Sequence, residues 1–255
     1  MIKPKKAKAP SIEDSPAATI NLDAPVSVPT LTTTELPFET EQLRAELASF
    51  LNQSYESAGR PDMRLGAVKW GVYAFFDYDD EPIYVGQTKE KLGTRIRRHL
   101  TNQRTDAVAM NVLDPFEVHT IAVWPLPAFQ EKGASDLTAV AHLNALEHAV
   151  FQQLLEQSEF NAVLNEKDPP SPTVKIKIPA EVRGRIVSAE VSRLRDHPDL
   201  RIARRAATLA KLAQVISERK VQKGLRRTLL AQARRLQSLA EKRYENAADT
   251  AEDDE

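Results

Sequence analysis

The stretch that decides the fold runs from Gly71 to His99 and reads GVYAFFDYDDEPIYVGQTKEKLGTRIRRH. Two short apolar runs, Gly71-Val72-Tyr73-Ala74-Phe75-Phe76 and Pro82-Ile83-Tyr84-Val85-Gly86, flank the acidic turn Asp77-Tyr78-Asp79-Asp80-Glu81. This pattern predicts a hairpin with strands over about 69–77 and 82–87, and therefore a sheet that is at least partly antiparallel. Successive side chains on a strand point to opposite faces. Tyr73 and Phe75 then share the side of Gly71, Tyr84 shares that of Gly86, and the two tyrosines can meet on one face. A helix is expected over about 93–103, with Ile96 and Leu100 inward and Arg95, Arg97 and Arg98 making it basic. Arg95 and His99 are four residues apart and so share a helix face, a pairing suited to contacting a phosphate and moving a proton.

Working outward, Leu43, Leu47, Phe50 and Leu51 recur at helical spacing and predict a helix over 39–58, with 59–65 as a linker. Residues 104–114 read as a loop. Alternation from Phe116 to Trp124 predicts a third strand, ended by Pro125 and Pro127. Leu137, Val140, Leu143, Leu146, Val150 and Leu154 form the apolar stripe of a helix over 136–157, with Asp136 as its cap. Pro169, Pro170 and Pro172 mark an edge. Val174 to Ile178 reads as a short strand, and helices are expected from Pro179 to about Asn246, broken near His197-Pro198 and at Gly224. The expected fold class is α/β in the α+β sense: a small three-stranded antiparallel sheet flanked by helices, then a long α-helical C-terminal region. The expected divisions are a disordered tail over 1–37, rich in Pro, Ala, Thr and Ser, a helix and linker over 38–66, a central domain over 67–170, a basic helical region over 171–246 and an acidic tail over 247–255.

Composition excludes several chemistries. There is no cysteine among the 255 residues, so disulfides, zinc–thiolate sites and thiol nucleophiles are ruled out. No apolar run approaches the length of a membrane-spanning helix. The basic N-terminus is followed by no apolar signal region, so a cytoplasmic protein that engages no membrane is expected. The net charge of −1 conceals an asymmetry: from Glu181 to Glu245 there are 17 Lys or Arg against 7 Asp or Glu. As implied by the family resemblance set out below, this segment is the candidate for gripping nucleic acid through its phosphates. The candidate contacts are Arg204, Arg205, Arg226, Arg227, Arg234 and Arg235, with Arg97 and Arg98 of the earlier helix. The alternative reading of the same helices is a scaffold that pairs with a second copy through its leucines.

Glu147 interrupts the apolar stripe of the 136–157 helix. A carboxylate so placed is costly unless it is paired or holds a metal. Taken together, the order Gly71-Val72-Tyr73, Tyr84-Val85-Gly86, Arg95 with His99, Glu147, then Asn161 resembles the GIY-YIG nuclease superfamily over about residues 69–166, its two name motifs reading GVY and YVG here.

That resemblance implies an endonuclease that hydrolyses DNA phosphodiesters with one divalent metal, Mg2+ or Mn2+. It implies Tyr73 as the general base, Tyr84 orienting the phosphate or its water, Arg95 stabilising phosphate charge, His99 assisting proton transfer and Glu147 holding the metal. The family asparagine is assigned to Asn161 on the run Phe160-Asn161-Ala162-Val163-Leu164, with Asn165 as the alternative. Gln87 stands where many relatives carry lysine. The reading from another class is a noncatalytic nucleic-acid-binding or scaffold protein built on a nuclease-like domain.

Overall fold

Lys69–Phe76 (β1) and Pro82–Lys91 (β2) form the expected antiparallel hairpin in the computed structural model, which describes residues 38–56, 63–100, 114–165, 167–218 and 223–252. The expected N-terminal tail, the 104–113 loop, part of the linker and the last residues of the acidic tail lie outside the described residues. Phe38–Asn52 (α1) precedes the hairpin and Leu92–Leu100 (α2) follows it. Thr120–Pro125 (β3) pairs antiparallel with β1 on its other side, and Leu137–Gln157 (α3) follows. Asp136 caps α3, its carboxylate accepting from the amide of Ala139 at 2.9 Å.

Among the described residues the sheet has four strands, one more than expected, in the order β2-β1-β3-β4. The Val174–Ile178 strand is not formed. Its isoleucines, Ile176 and Ile178, instead pack half-buried against the core under α3. The added strand is Val182–Arg185 (β4), paired antiparallel with β3. Its sequence, Val-Arg-Gly-Arg, carries no apolar alternation because α1 crosses it at a glycine. A β-carbon on Gly184 would lie 2.5 Å from the Phe50 ring. Ala189–Arg195 (α4), Pro198–Glu218 (α5) and Lys223–Glu252 (α6) follow; α4 ends just before His197-Pro198 as expected, whereas Gly224, the other expected break, lies inside the first turn of α6.

Period-2 alternation assigns the two faces of the sheet. Tyr73, Phe75, Ile121 and Val123 face a core shared with α1, α2 and the C-terminal helices; Trp70, Val72, Ala74, Phe76, Ala122 and Trp124 face α3. Leu212, Ile216, Leu225 and Leu229 of α5 and α6 pack into the first of these cores. The apolar stripe expected to join a second copy therefore covers the domain's own sheet.

The C-terminal helices reach the sheet through charge as well. Asp77, 2% exposed, opens the hairpin turn. One of its carboxylate oxygens accepts from the amides of Asp79 and Glu81 at 2.9 and 3.0 Å. The other accepts from Arg205 at 2.8 Å and Arg235 at 2.6 Å. Arg201 grips Asp79, with Nη1 donating at 3.0 Å. Burial works against ionisation of Asp79, yet Arg201 and Arg205 hold its carboxyl below the usual range. Glu117 takes Arg204 at 2.7 Å and Arg205 at 3.3 Å. On the far side of the turn, Glu81 accepts from the hydroxyl of Ser158 at 2.7 Å and the amide of Glu159 at 2.8 Å, at the C-terminus of α3.

This placement corrects the expected role of three arginines. Arg205 and Arg235 are buried at 6% and 2% exposure, and Arg204 is held by Glu117, so none of the three faces outward to receive DNA. Arg227 is paired with Asp168, while Arg226 and Arg234 are exposed.

Removing one member of a buried charge set strands the rest, which costs about 3–5 kcal/mol. Asp77→Ala is expected to lose stability of that order in urea unfolding. Asp80 has a left-handed backbone, φ 62°, which Asn tolerates as Asp does, so Asp80→Asn removes only the charge of an exposed carboxylate paired with Arg183 and should change stability by less than about 1 kcal/mol.

Candidate active site

Tyr73 sits in the middle of β1 opposite Gly86 of β2. A β-carbon at Gly86 would lie 2.7 Å from the Tyr73 hydroxyl, so only glycine there lets the phenol lie across the neighbouring strand. Tyr84, two residues before Gly86 and opposite Phe75, stacks on it at 5.9 Å between ring centroids. The two tyrosines do share a face, with centroids 6.1 Å apart.

On α2, Arg95 and His99 point back at that pair, as their spacing requires. The Tyr73 hydroxyl lies 2.8 Å from His99 Nε2 and accepts from Arg95 Nε at 3.2 Å. His99 is buried, its ring 5.1 Å from that of Tyr84 and 5.5 Å from that of Tyr73. Burial opposes the charge on Arg95, but the Tyr73, Tyr84 and Glu90 side chains together more than offset it and raise the guanidinium pKa. The Arg95 contact favours negative charge on the Tyr73 phenol oxygen. Arg95 also lines an open groove with Gln87, Thr88, Lys89, Glu90 and Ala134. Arg97 is exposed on the same helix, and Arg98 is paired with Glu90 at 2.9 Å.

Glu147 arrives from α3, in the layer on the other side of the sheet. Burial pushes its carboxyl up to about 7, and the nearby Arg95 guanidinium pulls the other way. Among the described residues it forms no ion pair, and no group of three or more His, Cys, Asp or Glu gathers to ligate a metal. A half-buried carboxylate without a bonded cation suits a divalent ion that takes one protein ligand and completes its shell with water and phosphate oxygens. One turn earlier on α3, Asn144 accepts from Gln87 Nε2 at 3.0 Å, which ties this helix to β2 just beyond Gly86. Nothing in the sequence marks that carboxamide pair, since the two residues are 57 positions apart.

The two asparagines separate sharply. Asn161 is exposed, in a left-handed conformation with φ of 48°, on the turn after α3. Asn165 is 7% exposed. Its Oδ1 accepts from the amide of Val85 at 3.0 Å and its Nδ2 donates to the carbonyl of Val85 at 2.8 Å. With Leu164 donating to the carbonyl of Ile83 at 2.9 Å, the 164–165 segment closes the outer edge of β2 beside Tyr84. Of the two candidates, Asn165, the alternative, is the one that reaches the second motif, and Asn161 is not in contact with it.

The raised carboxyl of Glu147 has a consequence for stability. Its neutral form is favoured in the fold, so its contribution is full below the unfolded carboxyl range and is lost as pH rises through about 7. In metal-free buffer, wild type should lose on the order of 2 kcal/mol relative to Glu147→Gln between pH 5 and pH 8. Urea unfolding of both proteins at the two pH values measures the difference.

No curated protein and no solved structure matches the chain. The family model described as the GIY-YIG catalytic domain matches residues 69–127, from the start of β1 through β3. The GVY and YVG motifs paired across one hairpin, with Arg95 and His99 converging on its first tyrosine, fall within this match, so residues 69–127 are similar to the GIY-YIG catalytic domain in motif and in their arrangement.

Proposed function

We propose that the chain is a metal-dependent DNA endonuclease. The observation that carries this reading is the Tyr73 hydroxyl, held between His99 Nε2 at 2.8 Å and Arg95 Nε at 3.2 Å. In the proposed reaction Tyr73 takes a proton from the attacking water as His99 accepts the phenolic proton. Arg95 favours the ionised phenol and, at the groove, neutralises charge on the scissile phosphate. Tyr84, half-buried beside both rings, orients the phosphate or its water. Asn165 locks the backbone between Tyr84 and Gly86. Glu147 would hold the metal, which when bound supplies positive charge to the phosphate and the leaving 3′ oxygen. Mg2+ or Mn2+ fits an all-oxygen shell with a single carboxylate.

The C-terminal helices belong to this reading chiefly as structure. Among the described residues no helix is long and apolar enough to cross a membrane. A reducing, cytoplasmic setting accords with the cysteine-free chain.

One observation favours the second reading, a noncatalytic nucleic-acid-binding or scaffold protein: the Tyr73 side chain is wholly buried. A structural tyrosine would be expected to look the same. Cleavage separates the two. Purified protein should cut duplex, nicked or branched DNA with Mg2+ and not with a chelator. Tyr73→Phe and Glu147→Ala should each slow cleavage by at least about a hundredfold, the usual scale for losing a positioned acid–base group or a metal ligand. No cleavage of any of these substrates by wild type would overturn the nuclease reading.

A further inference from the structure

The C-terminal region was expected to grip nucleic acid through paired arginines, but half of those arginines are turned inward. What remains outside is not spread evenly. Lys167, Lys223 and Arg226 are exposed and line one groove together with Leu230, while its other walls carry Asp168 and Arg227. Arg227 and Asp168 are bonded to each other, with Nη1 donating at 2.8 Å, so this pair fixes the walls and contributes no net charge. The other three cations have no carboxylate partner among the described residues. Leu230 is 52% exposed, which places an apolar surface beside the three charges. Closely spaced like charges repel and gain from a polyanion that spans them.

The groove lies a short way along the chain from the proposed active site. Lys167 is two residues beyond Asn165, a reach of at most about 7 Å along the chain. Asn165 in turn grips both backbone groups of Val85, between Tyr84 and Gly86. From the other wall, the Thr228 hydroxyl of α6 donates to the carbonyl of Asn165 at 3.3 Å. Both walls are thus anchored on the residue that fixes the second motif.

We infer that this groove seats the phosphate backbone of the DNA flanking the cut. Cations supply the affinity and Leu230 packs on a sugar face, with no reading of base sequence. The inference rests on the nuclease reading and gives the substrate a path away from the reacting phosphate.

The test is fluorescence anisotropy with a labelled DNA duplex, using the full chain in a Glu147→Ala background so that substrate is not consumed. Lys167→Glu/Lys223→Glu/Arg226→Glu should weaken binding at least tenfold at low salt. Its plot of log affinity against log salt should be shallower by about 2–3, as expected for three lost phosphate contacts. The same three changes to Gln, which keep side-chain length without reversing charge, should weaken binding less but in the same direction. They serve as the reading should the Glu variant fold poorly.

Affinity and slope unchanged in both variants would overturn the inference. So would an equal loss when Lys175, Lys177 and Lys211, exposed lysines outside the groove, are changed to Glu instead. So would weakened binding to RNA or to an acidic peptide with DNA binding intact. If wild type cleaves DNA while the groove variants bind normally, the groove alone falls. If wild type neither binds nor cleaves DNA, the nuclease reading falls with it.

Discussion

The rest of the structure depends on the carboxylate of Asp77. It is almost wholly buried at the mouth of the hairpin turn and accepts four hydrogen bonds, two from its own turn and two from arginines more than 120 residues away. The turn bonds set the loop length and therefore the register that puts Tyr73 opposite Gly86. A one-residue slip would send every side chain of β2 to the wrong face. The arginine bonds bring α5 and α6 onto the sheet, where their leucines close the first core. One side chain thus links the register of the hairpin that carries both tyrosines to the docking of the C-terminal helices.

Such a network is expensive, since each buried ion gives up hydration that only complete pairing offsets. Asp77 meets that demand, and Glu117 and Asp79 share the arginines beside it. Among the described residues, Arg195 Nη1 and Nη2 and Arg201 Nε are buried without a hydrogen-bond partner. A purely apolar packing of the same helices would cost less desolvation. The charges instead make docking specific to this turn, where Asp77 and Asp79 lie beside Glu117 and share Arg205 with it.

Much of the fold was legible from local pattern. The hairpin, α3 and the division between α4 and α5 at His197-Pro198 follow from alternation, a capped apolar stripe and a proline, all signals contained within a few turns of chain. The fourth strand was not legible, because Gly184 lies under Phe50 of α1 and the alternation that marks a strand is replaced by arginines facing solvent. The roles of Arg205 and Arg235 were equally hidden. Nothing within their own helix distinguishes them from Arg226 or Arg234; only the distant acidic turn does. At the site, Arg95 and His99 were readable from helical spacing and Glu147 from its place in an apolar stripe. Asn161 and Asn165 are equivalent until the left-handed turn at Asn161 directs one outward and the other onto Val85.

The central claim is that Tyr73, on one face of the sheet, and Glu147, from the helix on the other, serve a single reacting centre. Residues that act as a unit have strongly non-additive effects on rate. The direct measurement is a double-mutant cycle on single-turnover cleavage of a DNA duplex, comparing wild type, Tyr73→Phe, Glu147→Ala and the double variant with Mg2+. A shared centre predicts that the double variant is about as slow as the slower single variant. Two rate losses that multiply, or a cleavage rate that neither substitution lowers, would contradict it.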